Sequence, residues 1–144
     1  MKLSILAVGR IKKPAPSRVL LDDYLGRINK FCACEEIELK DGKGVADKML
    51  QKASGASLIA MEIGGEQMSS KALARRLERL ASRGKGVVAF AIGGADGLPA
   101  AVREAATAEW SLSRLTLPHR LARVLLAEQL YRALTILRNP PYDH

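Results

Sequence analysis

Val87-Val88-Ala89-Phe90-Ala91-Ile92-Gly93-Gly94-Ala95-Asp96-Gly97 joins a short apolar run to a glycine-rich turn. A run of this length closed by glycine reads as a buried strand, because a helix needs more residues and a different period. Leu3–Val8 closed by Gly9 and Leu58–Ile63 closed by Gly64-Gly65 have the same form. Helical patterns lie between and around these runs. Leu21, Tyr24, Leu25 and Ile28 share one face of a helix from about Ser17, and Leu73, Leu77, Leu80 and Ala81 repeat the spacing. Ser69 or Ser70 can cap the second helix, Gly84 and Gly86 can end it, and Pro99 suits the first turn of another. Ile37 and Leu39 alternate with Glu36, Glu38 and Lys40 as in an edge strand, and the turn-like Asp41-Gly42-Lys43-Gly44 follows. Five strand candidates alternating with five helix candidates predict an α/β fold with a mostly parallel sheet flanked by helices. Ligands of such sheets collect beyond the carboxyl ends of the strands. With 144 residues, no internal repeat and no low-complexity linker, residues 1–144 read as a single domain.

A last helix, from about Arg120 to Leu137, is apolar around most of its circumference through residues such as Leu121, Leu125, Leu126, Leu130, Leu134 and Ile136. That surface is too broad for a helix lying on one side of a sheet, so it predicts burial on two sides. The second cover is either the chain's own fold or another subunit, and the expectation is a homodimer packed through this helix.

Lys and Arg number 23 against 15 Asp and Glu, giving a net charge of +8 and an isoelectric point near 9.8. The excess favours a polyanionic partner. Counted by segment, residues 1–30 carry +5, 31–60 carry −1, 61–109 carry +1 and 110–144 carry +3. No strongly basic amphipathic helix or lipidation motif points to a membrane, and nucleic acid is the better match. Only six aromatic residues argue against a base-stacking platform. The apolar runs are too short for a membrane span, and Met1–Gly9 is too short in its apolar part for a secretory signal, so a cytoplasmic protein is expected. Cys32 and Cys34, one residue apart, match neither a redox pair nor a zinc half-site and read as structural thiols.

Several familiar chemistries lack their parts: there is no HExxH, no GxSxG and no paired metal-binding cluster, so no metal is expected. Gly93-Gly94-Ala95-Asp96-Gly97 follows a strand and precedes a helix, where backbone amides can meet a nucleotide. Its spacing is GGxxG without a Walker lysine, and such glycines also serve turns that need positive φ. Trp110-Ser111-Leu112-Ser113-Arg114-Leu115-Thr116-Leu117-Pro118-His119 has the composition of a loop presenting backbone groups ahead of the long helix. A neutral His119 at that helix N-terminus can hydrogen-bond a substrate or cofactor, or else cap and pack. Asp96, Glu109 and Glu128 each offer a carboxylate, with a turn or helix-surface group as the alternative. Arg123 and Arg132 lie nine residues apart on the last helix and project differently, either toward phosphate at opposite sides of a dimer or simply into solvent.

In this order, Ala7-Val8-Gly9, Ile92-Gly93-Gly94-Ala95-Asp96-Gly97-Leu98, Trp110–His119, Ala127-Glu128-Gln129-Leu130-Tyr131-Arg132-Ala133 and the closing Pro141-Tyr142 resemble the bacterial ribosomal RNA large subunit methyltransferase H family of the SPOUT class. The likeness covers nearly the whole chain. It implies a trefoil knot near the C-terminus, a homodimer, and S-adenosylmethionine as methyl donor. It also implies methylation of N3 of a pseudouridine in a hairpin loop of 23S ribosomal RNA on the assembled ribosome. Carried over by position, Met61, Gly93, Gly94, Leu112, Ser113, Arg114, Leu115, Thr116 and Leu117 would surround the cofactor. His119, Arg132 and Tyr142 match positions associated with the RNA and the reaction centre. Family members usually close with a pattern like NHPYHR, whereas this chain reads Asn139-Pro140-Pro141-Tyr142-Asp143-His144, which removes at least one RNA-facing charge. The basic segment with Arg10, Lys12 and Lys13 can compensate. A non-catalytic ribosome-binding factor of the same fold is the alternative, and a flavodoxin-type nucleotide-binding protein accounts for less of the sequence.

Overall fold

Alternation along the first strand divides the core. Leu3, Ile5 and Ala7 join one buried cluster and Leu6 and Val8 join another, so both faces of the strand are covered. The structure, a computed structural model, describes residues 1–139. Its elements alternate: β1 (Lys2–Val8), α1 (Pro16–Ile28), β2 (Ala33–Leu39), α2 (Val45–Lys52), β3 (Ser57–Glu66), α3 (Ser70–Ala81), β4 (Val87–Ile92), α4 (Ala100–Ala105), β5 (Ala108–Trp110) and α5 (His119–Arg138). The strands form one sheet in the order β2-β1-β4-β3-β5, all neighbours parallel. This is the expected α/β architecture with β2 at an edge. The flavodoxin order of 2-1-3-4-5 is not met, since β4 stands between β1 and β3.

α1, α3 and α5 cover one face and α2 and α4 the other. Ser69 caps α3 by accepting a hydrogen bond from the Ala72 backbone N–H at 3.1 Å, as the sequence predicts. β3 runs past its expected end at Ile63 to Glu66, with an irregular register between Met61 and Glu66 against β5. Gly65 makes that close approach possible, since a Cβ there would lie 2.7 Å from the Glu109 carbonyl carbon.

α5 lies between α1 and α3, burying Val124, Leu126, Ala127, Leu130, Ala133 and Leu134. Much of its breadth is therefore covered by its own chain. Leu121, Leu125 and Ile136 stay exposed on it, and Val19 and Leu20 stay exposed on the adjacent α1. Burial pushes the Cys34 thiol up to about 12 and raises Cys32 as well, which keeps both as poor nucleophiles. Among the described residues no helix is long and apolar enough to cross a membrane.

Candidate active site

β3, β4 and β5 are neighbours, and each ends on a residue that opens a loop at the same edge of the sheet. Met61 in β3, Ile92 at the end of β4 and Ser111 just beyond β5 together line a cavity of about 310 Å³ there. This is where parallel sheets gather ligands. The loop after β4 folds back on itself: the Gly97 N–H donates to the Gly94 carbonyl at 3.1 Å, and the two residues form an isolated bridge. Gly97 has φ +78°, and a Cβ on Gly93 would fall onto the Gly97 backbone, 2.6 Å from its carbonyl oxygen. Glycine at both positions is thus required by the turn itself.

The opposite wall is the segment after β5. The Ser111 N–H donates to the Glu66 carbonyl at 2.9 Å, which ties the start of the segment to the extended end of β3. The Ser111 hydroxyl donates to the Ser113 carbonyl and the Leu115 N–H donates to the Ser113 hydroxyl, both at 2.9 Å. These serines hold a tight irregular path that directs Leu112, Leu115 and Leu117 to the cavity. His119, the first residue of α5, stands at the same rim.

Met61, Gly93, Gly94, Leu112, Ser113, Leu115, Thr116, Leu117 and His119 are therefore brought together around one cavity. Arg114 is exposed and does not line it. Arg132 does not line it either: its guanidinium pairs with Glu128 one turn earlier, at 2.9 Å. Tyr142 lies outside the described residues. Sequence reasoning missed Glu62 and Ala122, which also line the cavity; Glu62 is its one carboxylate among the described residues. Its signal was only its place beside Met61 near the end of an apolar run. Of the other carboxylates considered, Glu109 pairs with Arg103 at 2.9 Å and Asp96 is exposed on the glycine loop.

A family model described as "Predicted SPOUT methyltransferase" matches residues 1–144. The chain belongs to the SPOUT methyltransferase family. It is 56% identical over 146 residues to the "Ribosomal RNA large subunit methyltransferase H" of Sorangium cellulosum, with 100% of both chains covered. It is 43% identical to the protein of that name from Hyphomonas neptunium, over 99% of this chain and 98% of the other. Among solved structures, a "Probable Methyltransferase" from Bordetella pertussis has a TM-score of 0.58 at 14% identity, covering 92% of this chain and 95% of that one. At that identity the likeness shows the fold.

In this SPOUT methyltransferase, the cavity's edge of the sheet is braced by a buried cluster of charges. Arg123, 2% exposed, donates to Glu36 at 2.8 Å, to Glu38 at 2.5 Å and to the Gly9 carbonyl at 3.2 Å. Neither expected role for Arg123, phosphate contact or solvated surface, holds, because the side chain points inward from α5. Arg18 donates to both Glu36 oxygens at 2.6 and 3.1 Å, to Glu38 at 3.0 Å and to the Ile11 carbonyl at 2.8 Å. Its hydrogen bond to Glu36 outweighs burial and raises its pKa. The cluster joins α1, β2 and α5 to the loop after β1.

Burial pushes the Glu38 carboxyl up, but the hydrogen bonds from the Ile11 N–H and from Arg123, with the charges of Arg123 and Arg18, hold it below the usual range. A carboxyl lowered in the folded state contributes stability that is present above its unfolded value, about 4.3, and is lost as pH falls through the lower folded value. Urea midpoints taken from about pH 6 down to about pH 3 are expected to fall more steeply for the natural protein than for Glu38→Gln. Equal slopes would remove Glu38 from the acid response.

Proposed function

We propose that this protein transfers the methyl group of S-adenosylmethionine to N3 of a pseudouridine in large-subunit ribosomal RNA, acting on the assembled ribosome as a cytoplasmic homodimer. The observation that carries the reading is the cavity that joins the Gly93-Gly94 turn to the Leu112–Leu117 segment, in a chain more than half identical to a large subunit methyltransferase H. The fit to the cofactor is chemical. Met61, Ile92, Leu112, Leu115 and Leu117 supply apolar walls for a purine, and exposed backbone groups of the two loops supply hydrogen bonds. Glu62 lines the same cavity, with its carboxylate held by Arg103 at 3.5 Å.

When bound, S-adenosylmethionine supplies an activated methyl group. The chain's own residues then have to hold the RNA base in line with it, since positioning provides much of the rate of such a transfer. His119 at the cavity rim is suited to orient the base by a hydrogen bond, and the imide proton must leave N3 to a group that His119 or water can provide. Arg132 is suited to bind a phosphate with two hydrogen bonds. Thirteen residues of helix separate His119 from Arg132, about 20 Å along the axis. If both serve one reaction centre, as the resemblance implies, Arg132 would be supplied by the second copy of the homodimer. The exposed Leu121, Leu125 and Ile136 of α5 are the apolar residues it would cover. Tyr142 and a trefoil knot near the C-terminus belong to the same proposal by family resemblance.

Arg10, Lys12 and Lys13 stand on the loop after β1, exposed, at the same edge of the sheet as the cavity. They would meet RNA phosphates near the reaction centre. Calorimetric titration with S-adenosylmethionine tests the cofactor part. Saturable binding is expected, with Thr116→Ala weakening it; no binding at millimolar cofactor by a folded protein would favour a ribosome-binding factor without catalysis.

A further inference from the structure

Lys71, Arg75, Arg79 and Arg83 follow one another at four-residue intervals along α3 and the turn that ends it, and all four are exposed. The near-neutral balance of residues 61–109 hides this segregation. Between residues 71 and 85 there are six cations, the four named with Arg76 and Lys85, against the single carboxylate of Glu78. Arg76 is engaged with Glu66 at 2.6 Å. None of the four ladder residues forms an ion pair with a described residue.

Like charges four residues apart destabilise a helix, so the ladder opposes the fold that carries it. A polyanion laid along the ridge would reverse that sign. Each step of the ladder rises about 6 Å along the helix axis, a spacing comparable with that of successive phosphates on a strand. Behind it, between α3 and the edge strand β5, runs a groove of about 260 Å³ lined by Arg76, Arg79, Arg83, Glu66 and Thr107. No aromatic residue stands between positions 70 and 85, which suits backbone contact rather than base stacking. The apolar residues of the helix, Ala74, Leu77 and Leu80, are buried in the core and leave no face to enter a bilayer.

α3 leaves the cavity's edge of the sheet after β3 and returns to the opposite edge, where β4 begins. The ladder thus starts near the cavity and leads away from it. We infer that Lys71, Arg75, Arg79 and Arg83 form a second RNA-contacting surface, which holds the phosphate backbone of ribosomal RNA at a distance from the nucleotide at the cavity. The inference rests on the large-subunit reading above and adds a site to it.

Binding of the natural protein and of the K71Q/R75Q/R79Q/R83Q variant to assembled ribosomes, measured across a salt series, tests this. The variant's plot of log affinity against log salt is expected to be shallower by about 3, and its affinity at physiological salt at least about tenfold lower. Arg79→Gln and Arg83→Gln singly are expected to reduce the slope by about 1 each and carry the test if the fourfold variant does not fold. Cofactor titration and helix content should be unchanged, with a thermal midpoint equal or higher because repulsion is relieved. Equal slopes and affinities for natural protein and variants overturn the inference and leave the large-subunit reading standing. A loss of binding to acidic vesicles alone also overturns it, and a natural protein that does not bind ribosomes overturns both.

Discussion

Arg123→Met is expected to destabilise the protein by about 3–5 kcal/mol, the largest loss from any single substitution considered, because it removes one partner from a buried ion cluster and leaves the other charges in place. Glu36 has a side chain only 9% exposed and would keep Arg18 but lose its bond to α5. Glu38 would lose the shorter of its two arginine contacts, and the Gly9 carbonyl would lose a buried donor. Methionine is close in length to the arginine stem, so the loss comes from the hydrogen bonds and charge that the two carboxylates forfeit and not from a hole. In the Glu38→Gln background the same substitution should therefore cost measurably less, a coupling that a double-mutant cycle on urea midpoints reads directly. A loss below about 1 kcal/mol, or strict additivity, would mean that the cluster does not brace α5 against β2.

Gly93→Ala is expected to weaken S-adenosylmethionine binding by about a hundredfold or more, equivalent to about 2.7 kcal/mol. The added methyl meets the Gly97 backbone, which cannot rotate away as a side chain would, so the Gly94 to Gly97 bridge has to open and the cavity wall moves with it. Overpacking of this kind also destabilises by about 1–3 kcal/mol, so secondary structure should survive at low temperature. Gly26→Ala is the matched control. Gly26 is exposed within α1, and a Cβ there meets nothing within 4 Å. That substitution should leave cofactor affinity alone and raise stability slightly. Calorimetry on the two variants separates a local effect on the cavity from a general effect of filling glycines.

β1 and β4, in the middle of the sheet, were legible because they are buried on both faces. Leu3–Val8 and Val87–Ile92 have no polar stripe to confuse with a helix, and the glycines after them mark the edge where the loops begin. The serine cap of α3 and the long span of α5 were legible for equally local reasons. β2 was legible as a strand but not in its environment. Glu36 and Glu38 alternate with Ile37 and Leu39, which reads as an edge strand, whereas α1 and α5 cover the glutamate face and supply Arg18 and Arg123. Periodicity says which residues share a face and not whether a second layer lies over it. The partner of Glu38 on α5 is 85 residues away, beyond any local signal.

The candidate site divides in the same way. Gly93, Gly94 and His119 could be singled out from turn and helix-end chemistry, whereas their common cavity follows from the sheet order that sets β4 beside β3 and β5 beyond it. Glu62 and Ala122 carry no sequence signal of their own and are found only because β3 and α5 converge there. Arg114 shows the converse: it belongs to the right segment, but the serine-held turn directs it outward. In the proposed homodimer Arg132 would meet His119 across two copies, a relation that carries no local signal.

Mass spectrometry of 23S ribosomal RNA fragments tests the central claim most directly, on unmodified ribosomes incubated with the protein and isotopically labelled S-adenosylmethionine. The account predicts one labelled methyl group, on N3 of a pseudouridine in a hairpin loop, absent when Gly93→Ala replaces the natural protein. Tight ribosome binding with no transferred label, or label on a nucleotide other than a pseudouridine, would contradict it.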